Sequence, residues 1–260
     1  MSYRFSTQYL RALAFSISFL SSITCFSQTT DSIIDNIKEK QKDAISGRIG
    51  LTNNGISLVP SFSLGDPAIL FDLKFGRKRF TIEPDIRFSL KAKPWSFLFW
   101  LRYQAIQKEK FSLRIGAHPG FNFRTVPIIA NGIEKDVIET RRFLAGELAP
   151  TYAVAKNVRL GMYYLYSRGL DDSAKNTHFM VLNSTFTSVK LFDQVYAVVS
   201  PQVYYLNQDA LDGFYAVGFI SVGKKDFPIS LSAIFNKAID TQILPEKDFV
   251  WNVSLVYSFN

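Results

Sequence analysis

From residue 55 to the end of this chain, apolar and polar residues alternate with a period of two. Phe80, Ile82, Ile86 and Phe88 alternate with Thr81, Glu83, Asp85 and Arg87. Phe111, Leu113, Ile115, Phe121 and Phe123 alternate with Ser112, Arg114, His118, Asn122 and Arg124. Successive side chains of a strand point to opposite faces, so the pattern dictates strands with one greasy face. The alternation places strands near 55–64, 68–75, 80–90, 95–105, 110–124, 141–154, 158–168, 177–187, 194–206, 213–222, 228–237 and 248–259. Each is close to the ~9–11 residues that a tilted membrane strand needs. The 24 Phe and 12 Tyr must fill a soluble β core or face lipid in alternation. No apolar run beyond the first residues is long enough for a spanning helix.

Connection lengths discriminate between these two homes. Counting back from the C-terminus, the turns at 76–79, 107–109, 155–157, 190–193 and 223–227 fall at one end and are all short. The long connections, 125–140, 169–176, 207–212 and 238–247, fall at the other, alongside two short ones at 65–67 and 91–94. Membrane barrels sort their loops this way, whereas a soluble sandwich has no reason to. Within the longest connection, Asn131-Gly132 sits between two β-like runs, the signature of a type I′ hairpin. Pairing Ala130 with Ile133 keeps the inward faces of the two flanking strands in phase, which predicts a protruding hairpin continuous with them. Pro60, Pro84, Pro119, Pro150 and Pro201 interrupt expected strands and are read as bulge sites.

The last strand runs from Phe249 to Phe259, with Phe249, Trp251, Val253, Leu255, Tyr257 and Phe259 on one face and Asn252, Ser254 and Ser258 among the positions between. It resembles the closing strand of bacterial outer-membrane β-barrels, which ends on a polar, Gly, aromatic, aromatic signal. Asn252, Tyr257 and Phe259 match that signal; Ser254 stands where Gly is usual, and Asn260 follows the final aromatic. The resemblance implies an all-β fold, a transmembrane antiparallel up-and-down β-barrel of about twelve strands. It also implies residence in the outer membrane among lipid and lipopolysaccharide, and handling by the barrel-assembly machinery. The closing strand is expected to pair with a first strand near 55–64. Lys91, Lys93, Lys135, Arg141 and Arg142 would then lie on the outer side, where cations meet lipopolysaccharide phosphates.

Residues 1–27 read as a signal peptide: Arg4 and Arg11, a short serine-diluted apolar run, and Cys25 and Ser27 at the positions that guide cleavage after Ser27. The alternative, a lipidated Cys25, would follow the poor lipobox Ser22-Ile23-Thr24. Residues 28–54 read as a periplasmic tether or a short helix and strand, although Ile45, Ile49 and Leu51 alternate and lead into Asn53-Asn54-Gly55. Residues 55–260 are the barrel. Without Arg4 and Arg11 the net charge falls from +8 to +6, and no basic block points to nucleic acid.

Inside the expected barrel, one charge belt stands out. A turn at Arg77-Lys78 would set Asp72 opposite Glu83, and a turn at Ala92-Lys93 would set Glu83 opposite Arg102. The row continues to Arg114, with Glu147 diagonal to it. Lys74 and Arg87 stand close by, and His118 faces inward on the same strand as Arg114. The inward faces of the later strands carry neutral Asn183, Gln202, Asn236 and Asn252, which leaves room for a gap opposite the belt.

Two functions follow. One is a narrow pore or uptake channel for small polar or charged solutes. The other is a closed barrel, filled by a salt-bridge network, that serves as a scaffold for an envelope protein. A rim lipid hydrolase is the remote alternative, with His178 close to Asp171, Asp172 and Ser173. No family spacing surrounds either histidine, so no residue is assigned as catalytic, and neither a metal nor a cofactor is expected.

Overall fold

A computed structural model describes residues 44–130, 132–171 and 174–260. The signal peptide, its cleavage site, and the tether up to residue 43 lie outside the described residues. The described residues form twelve strands: β1 (Ala44–Thr52), β2 (Ala68–Arg77), β3 (Phe80–Ser89), β4 (Pro94–Gln107), β5 (Phe111–Ala130) and β6 (Ile133–Ala155), then β7 (Val158–Gly169), β8 (Asn176–Phe192), β9 (Val195–Gln208), β10 (Leu211–Lys224), β11 (Ile229–Thr241) and β12 (Phe249–Phe259). Each pairs antiparallel with the next in sequence, and β1 pairs with β12 to close the barrel.

The sheet is inside out by the standard of a soluble protein. On β12, Trp251 and Val253 are 46% and 41% exposed, whereas Asn252 and Ser254 between them are 5% and 6% exposed. The same inversion recurs around the wall, with Leu101, Leu144, Leu182 and Leu231 outward and Arg102, Glu147 and Gln202 inward. An apolar exterior of this extent is stable only against hydrocarbon, so the barrel spans a lipid bilayer.

The sorting of loops follows the sequence pattern. At the end shared with the C-terminus, the strands are joined by residues 78–79, 108–110, 156–157, 193–194 and 225–228. The hairpin between β5 and β6 pairs Ala130 with Ile133 and holds one register to Phe111↔Tyr152. Asn131 lies outside the described residues, and Gly132 has φ of +75°, a left-handed value that glycine adopts at no steric cost.

The first strand differs from expectation. The strand that closes against β12 is Ala44–Thr52, with Gly47 opposite Phe259 and Thr52 opposite Ser254. Residues 55–64 are not a strand; they belong to the β1–β2 loop, residues 53–67, which contains a short 3-10 turn at Pro60–Phe62. The apolar residues of that loop alternate because they pack inward, with Ile56 and Leu58 only 8% and 6% exposed. The assignment of residues 28–54 to a periplasmic tether therefore fails for its last third.

The prolines also act differently from expectation. Pro60 opens the 3-10 turn. Pro84, Pro119, Pro150 and Pro201 cause no shift of register. Each leaves a short unpaired stretch toward one neighbour, as where β2 and β3 pair Asp72 with Asp85 and Phe75 with Ile82 but skip the positions between. A missing N–H removes a ladder bond on one side only. The register shifts lie elsewhere, at Arg87/Phe88, Gln104/Ile106, Ala153/Ala155 and Phe214/Tyr215 among others.

Candidate functional site in the barrel lumen

The inward positions of β3 to β6 build a sealed ion cluster. Arg102 is 3% exposed and donates from Nε to Glu147 Oε1 at 2.8 Å and from Nη2 to Glu147 Oε2 at 3.2 Å, while Nη1 bonds Glu83. Arg114 Nε reaches Glu147 Oε1 at 3.0 Å, and Thr81 donates its hydroxyl to Glu83 at 2.8 Å. The guanidinium of Arg102 also lies 4.1 Å from the Trp100 ring centroid. Both carboxylates thus meet bases, the condition under which charges remain in a barrel interior.

Asp72 is not part of this cluster. β2 and β3 are joined by Lys78-Arg79, so Asp72 faces Asp85 rather than Glu83, and Arg102 faces Thr81 with Glu83 diagonal to it. The slip displaces both strands equally, so every residue keeps its face while its partner changes. The Asp72–Asp85 pair would repel, but Arg48 Nη2 bonds Asp72 at 3.0 Å and Arg87 Nε bonds Asp85 at 2.6 Å. The expected belt is therefore two clusters: Glu83–Arg102–Glu147–Arg114, which is closed, and Arg48–Asp72–Asp85–Arg87, which borders open space. Arg48 escaped the sequence reading because its strand had been placed outside the barrel.

His118 is 3% exposed, with its ring 3.9 Å from that of Trp100 and edge-on to Phe143, and Nδ1 lies 3.2 Å from Pro119 O. It is packing for the ion cluster. His178 shares the outward parity of Met180 and Leu182 and contacts Tyr164 OH at 2.9 Å through Nδ1. Asp171 is held instead by Arg142, through the backbone N–H at 2.7 Å and the guanidinium at 2.7 Å. Those bonds lower the Asp171 carboxyl to about 2. The backbone amides of Asn176 and Lys175 likewise lower Asp209. Asp172 and Ser173 lie outside the described residues. Of the outer-side cations, Lys91 pairs with Asp66 at 2.9 Å, Lys93 with Asp136 at 3.5 Å and Arg141 with Glu139 at 3.4 Å.

The centre of the lumen is crossed by a row of aromatics, one from each of four adjacent strands: Tyr163, Phe179, Tyr204 and Tyr215. Leu58 of the β1–β2 loop and Ile243 of the β11–β12 loop join this cluster from above. The β1–β2 loop is tied down on opposite walls. Trp95 donates its indole N–H to Phe62 O at 2.7 Å, Phe62 stacks on Phe143 at 5.3 Å, and Ser61 Oγ donates to Gln208 Oε1 at 3.3 Å. Asn252, expected both in the terminal signal and on the inward face of the last strand, donates from Nδ2 to Asn54 O at 3.1 Å and so anchors the root of the same loop. Tyr257 and Phe259 face outward and stack at 6.2 Å.

Space remains on the side opposite the sealed cluster. A cavity of about 220 Å³ extends from the underside of the loop at Ile56 and Leu58, past Arg48 and Asp72, down to Ser221 and Ser258 near the short-turn end. A second cavity of about 40 Å³ lies on the loop's outer side, between Ser57, Tyr215, Asn236 and Lys247. Asn54 roots the partition, and Ile56 lines both cavities. Gln202 borders the larger cavity and Asn236 the smaller; each is 4% exposed and has a carbonyl oxygen with no hydrogen-bond partner among the described residues.

No protein-family model and no curated protein matches the chain. Solved structures of outer-membrane proteins match it at low similarity. The NanC porin is 11% identical over 84% of this chain and all of its own, with a TM-score of 0.49. LpxR from Salmonella typhimurium is 13% identical over 82% of this chain and all of its own, with a TM-score of 0.44. A loop L8 deletion mutant of OmpT, an outer membrane protein of Vibrio cholerae, is 9% identical over 85% of this chain and all of its own, with a TM-score of 0.39.

Proposed function

We propose that this protein is an outer-membrane channel for small polar solutes, closed in this conformation by the β1–β2 loop. The observation that carries the reading is the pair of cavities, each lined by both polar and apolar groups, that have Ile56 as a common wall. One faces the long-loop side and the other reaches toward the short-turn side. A barrel of twelve strands lies between those that side chains fill and those that leave an aqueous channel, and this one is filled around Arg102 and open opposite it. The route follows the neutral wall of β9 to β12 and avoids the ion cluster, so that cluster holds the barrel's shape and Asp72, Arg48 and Arg87 border the path. Export through residues 1–27 and contact of the outer cations with lipopolysaccharide phosphates belong to the same reading. The test is swelling of proteoliposomes in small sugars and amino acids. Ile56→Gly is expected to raise the uptake rate severalfold over the wild type; a folded Ile56→Gly barrel that admits nothing would overturn the channel.

The projecting hairpin favours a second reading, a closed scaffold. Ile129 and Ile133 are 81% and 61% exposed there, beyond the neighbouring strands. That reading requires no uptake by either protein and the loss of a co-purifying envelope partner on deletion of residues 126–138.

A further inference from the structure

The larger cavity has a chemistry of its own. Three charged groups line it, Arg48, Asp72 and Arg87, and each is matched: Arg48 is bonded to Asp72 at 3.0 Å, and Arg87 to Asp85, which is not itself among the lining residues, at 2.6 Å. The two pairs together carry no net charge, so neither an anion nor a cation entering the cavity finds an uncompensated partner. The opposite wall is a field of hydroxyls, Ser221, Ser230, Ser232 and Ser254, each able both to donate and to accept. Trp95 and Phe219 add apolar faces at the upper end.

One acceptor among them is unmet. Gln202 is 4% exposed, and its Oε1 has no hydrogen-bond partner among the described residues. A buried acceptor left unmade is costly, so a ligand hydroxyl that the Gln202 amide can turn to meet gains a bond the described residues do not supply. The volume of about 220 Å³ is enough for one small solute.

We infer that this cavity binds a neutral, polyhydroxylated molecule of monosaccharide size, with Gln202 Oε1 accepting from a ligand hydroxyl and the Arg48–Asp72 pair gripping two more. Charged ion pairs and amides bind hydroxyls by accepting and donating at once, and the C–H face of a sugar packs on an aromatic ring. The inference deepens the channel reading, on which it rests for the solute's route of entry.

Calorimetric titration of the detergent-solubilised full chain with glucose, gluconate and glucosamine tests it. The expected result is saturable binding of glucose in preference to both charged analogues. Gln202→Leu, which keeps the side chain's bulk, should weaken glucose binding about tenfold, the effect of one lost hydrogen bond. Asp72→Asn, which leaves Arg48 uncompensated, should move the preference toward gluconate. A heat-dependent gel shift like that of the wild type confirms that each variant is folded. No saturable glucose binding by the wild type, equal affinity for gluconate, or unchanged affinity in Gln202→Leu would each overturn the site. Glucose binding without uptake by Ile56→Gly would support the site and sink the channel, whereas uptake without binding would sink the site alone.

Discussion

The indole N–H of Trp95 donates to the carbonyl oxygen of Phe62 at 2.7 Å, and this bond joins the barrel wall to a loop lying across the lumen. Trp95 is 2% exposed, and the bond is among the shortest of the polar ties on residues 53–67. Trp95→Phe keeps an aromatic ring in the wall and deletes the donor. Backbone amides of the loop should then exchange hydrogen about tenfold faster, the change expected for a local opening eased by a single hydrogen bond. Unchanged exchange at Leu64 and Gly65 would show that the loop is held by packing alone.

Gly47 faces Phe259 across the seam, and a Cβ built on Gly47 would come within 2.6 Å of the Phe259 ring. Only glycine lets the last aromatic lie flat against β1. Gly47→Val should slow or prevent insertion into lipid vesicles, read as loss of the heat-dependent gel shift, while Gly50→Ala should be milder. Deletion of residues 44–52 should abolish the barrel, an outcome that a tether in that position would not produce.

How far the fold could be read in advance depends on what the alternation means at each place. From Ala68 onward the greasy face meets lipid and the pattern located the strands. At residues 55–64 the same period of two arises because Ile56 and Leu58 point into the lumen, and sequence does not say which side of a wall an apolar face meets. The real first strand carries Ser46, Arg48, Gly50 and Thr52 inward, with glycines thinning its pattern. Its omission hid Arg48, and a one-residue difference in the β2–β3 turn joined Asp72 to the wrong cluster. Glu83, Arg102, Arg114 and Glu147 remained legible because a slip shared by both strands preserves faces. Gln202 was legible as an inward neutral group opposite the belt, but its place beside a cavity, like that of Ile56, depends on how a loop folds over empty space.

The sealed cluster gives a stability prediction. Arg102 holds Glu83 and Glu147 in a site where neither has water as an alternative partner. Arg102→Met should destabilise the barrel by about 3 to 5 kcal/mol, the penalty for leaving a buried charge without its partner. Urea unfolding in lipid vesicles, followed by tryptophan fluorescence, measures it. Glu147→Gln combined with Arg102→Met should recover part of the loss, and no recovery would mean that the two side chains are not coupled.

At the outer rim, Asp171 bonded to Arg142 supplies a pH prediction. Its folded carboxyl is lowered to about 2, below the ~3.9 of an unfolded aspartate. A depressed carboxyl stabilises above the unfolded value, and the contribution fades as pH falls through the folded one. The contact should therefore be intact at about pH 4 and disappear near pH 2, with little change above pH 5. Titration of the Asp171 side chain by carbon NMR, with Asp171→Asn as reference, reads this directly. A midpoint near 4 would show that the Arg142 bonds do not hold the loop in solution.

Single-channel recording in planar bilayers reaches the central claim most directly, because it separates the lock from the wall. The wild-type barrel is expected to rest closed, with rare discrete openings. Trp95→Phe is expected to lengthen and multiply those openings while leaving the unit conductance nearly unchanged, since the neutral wall of β9 to β12 is untouched. A wild-type barrel that conducts steadily, or a folded Trp95→Phe barrel that never conducts, would contradict a channel gated by residues 53–67.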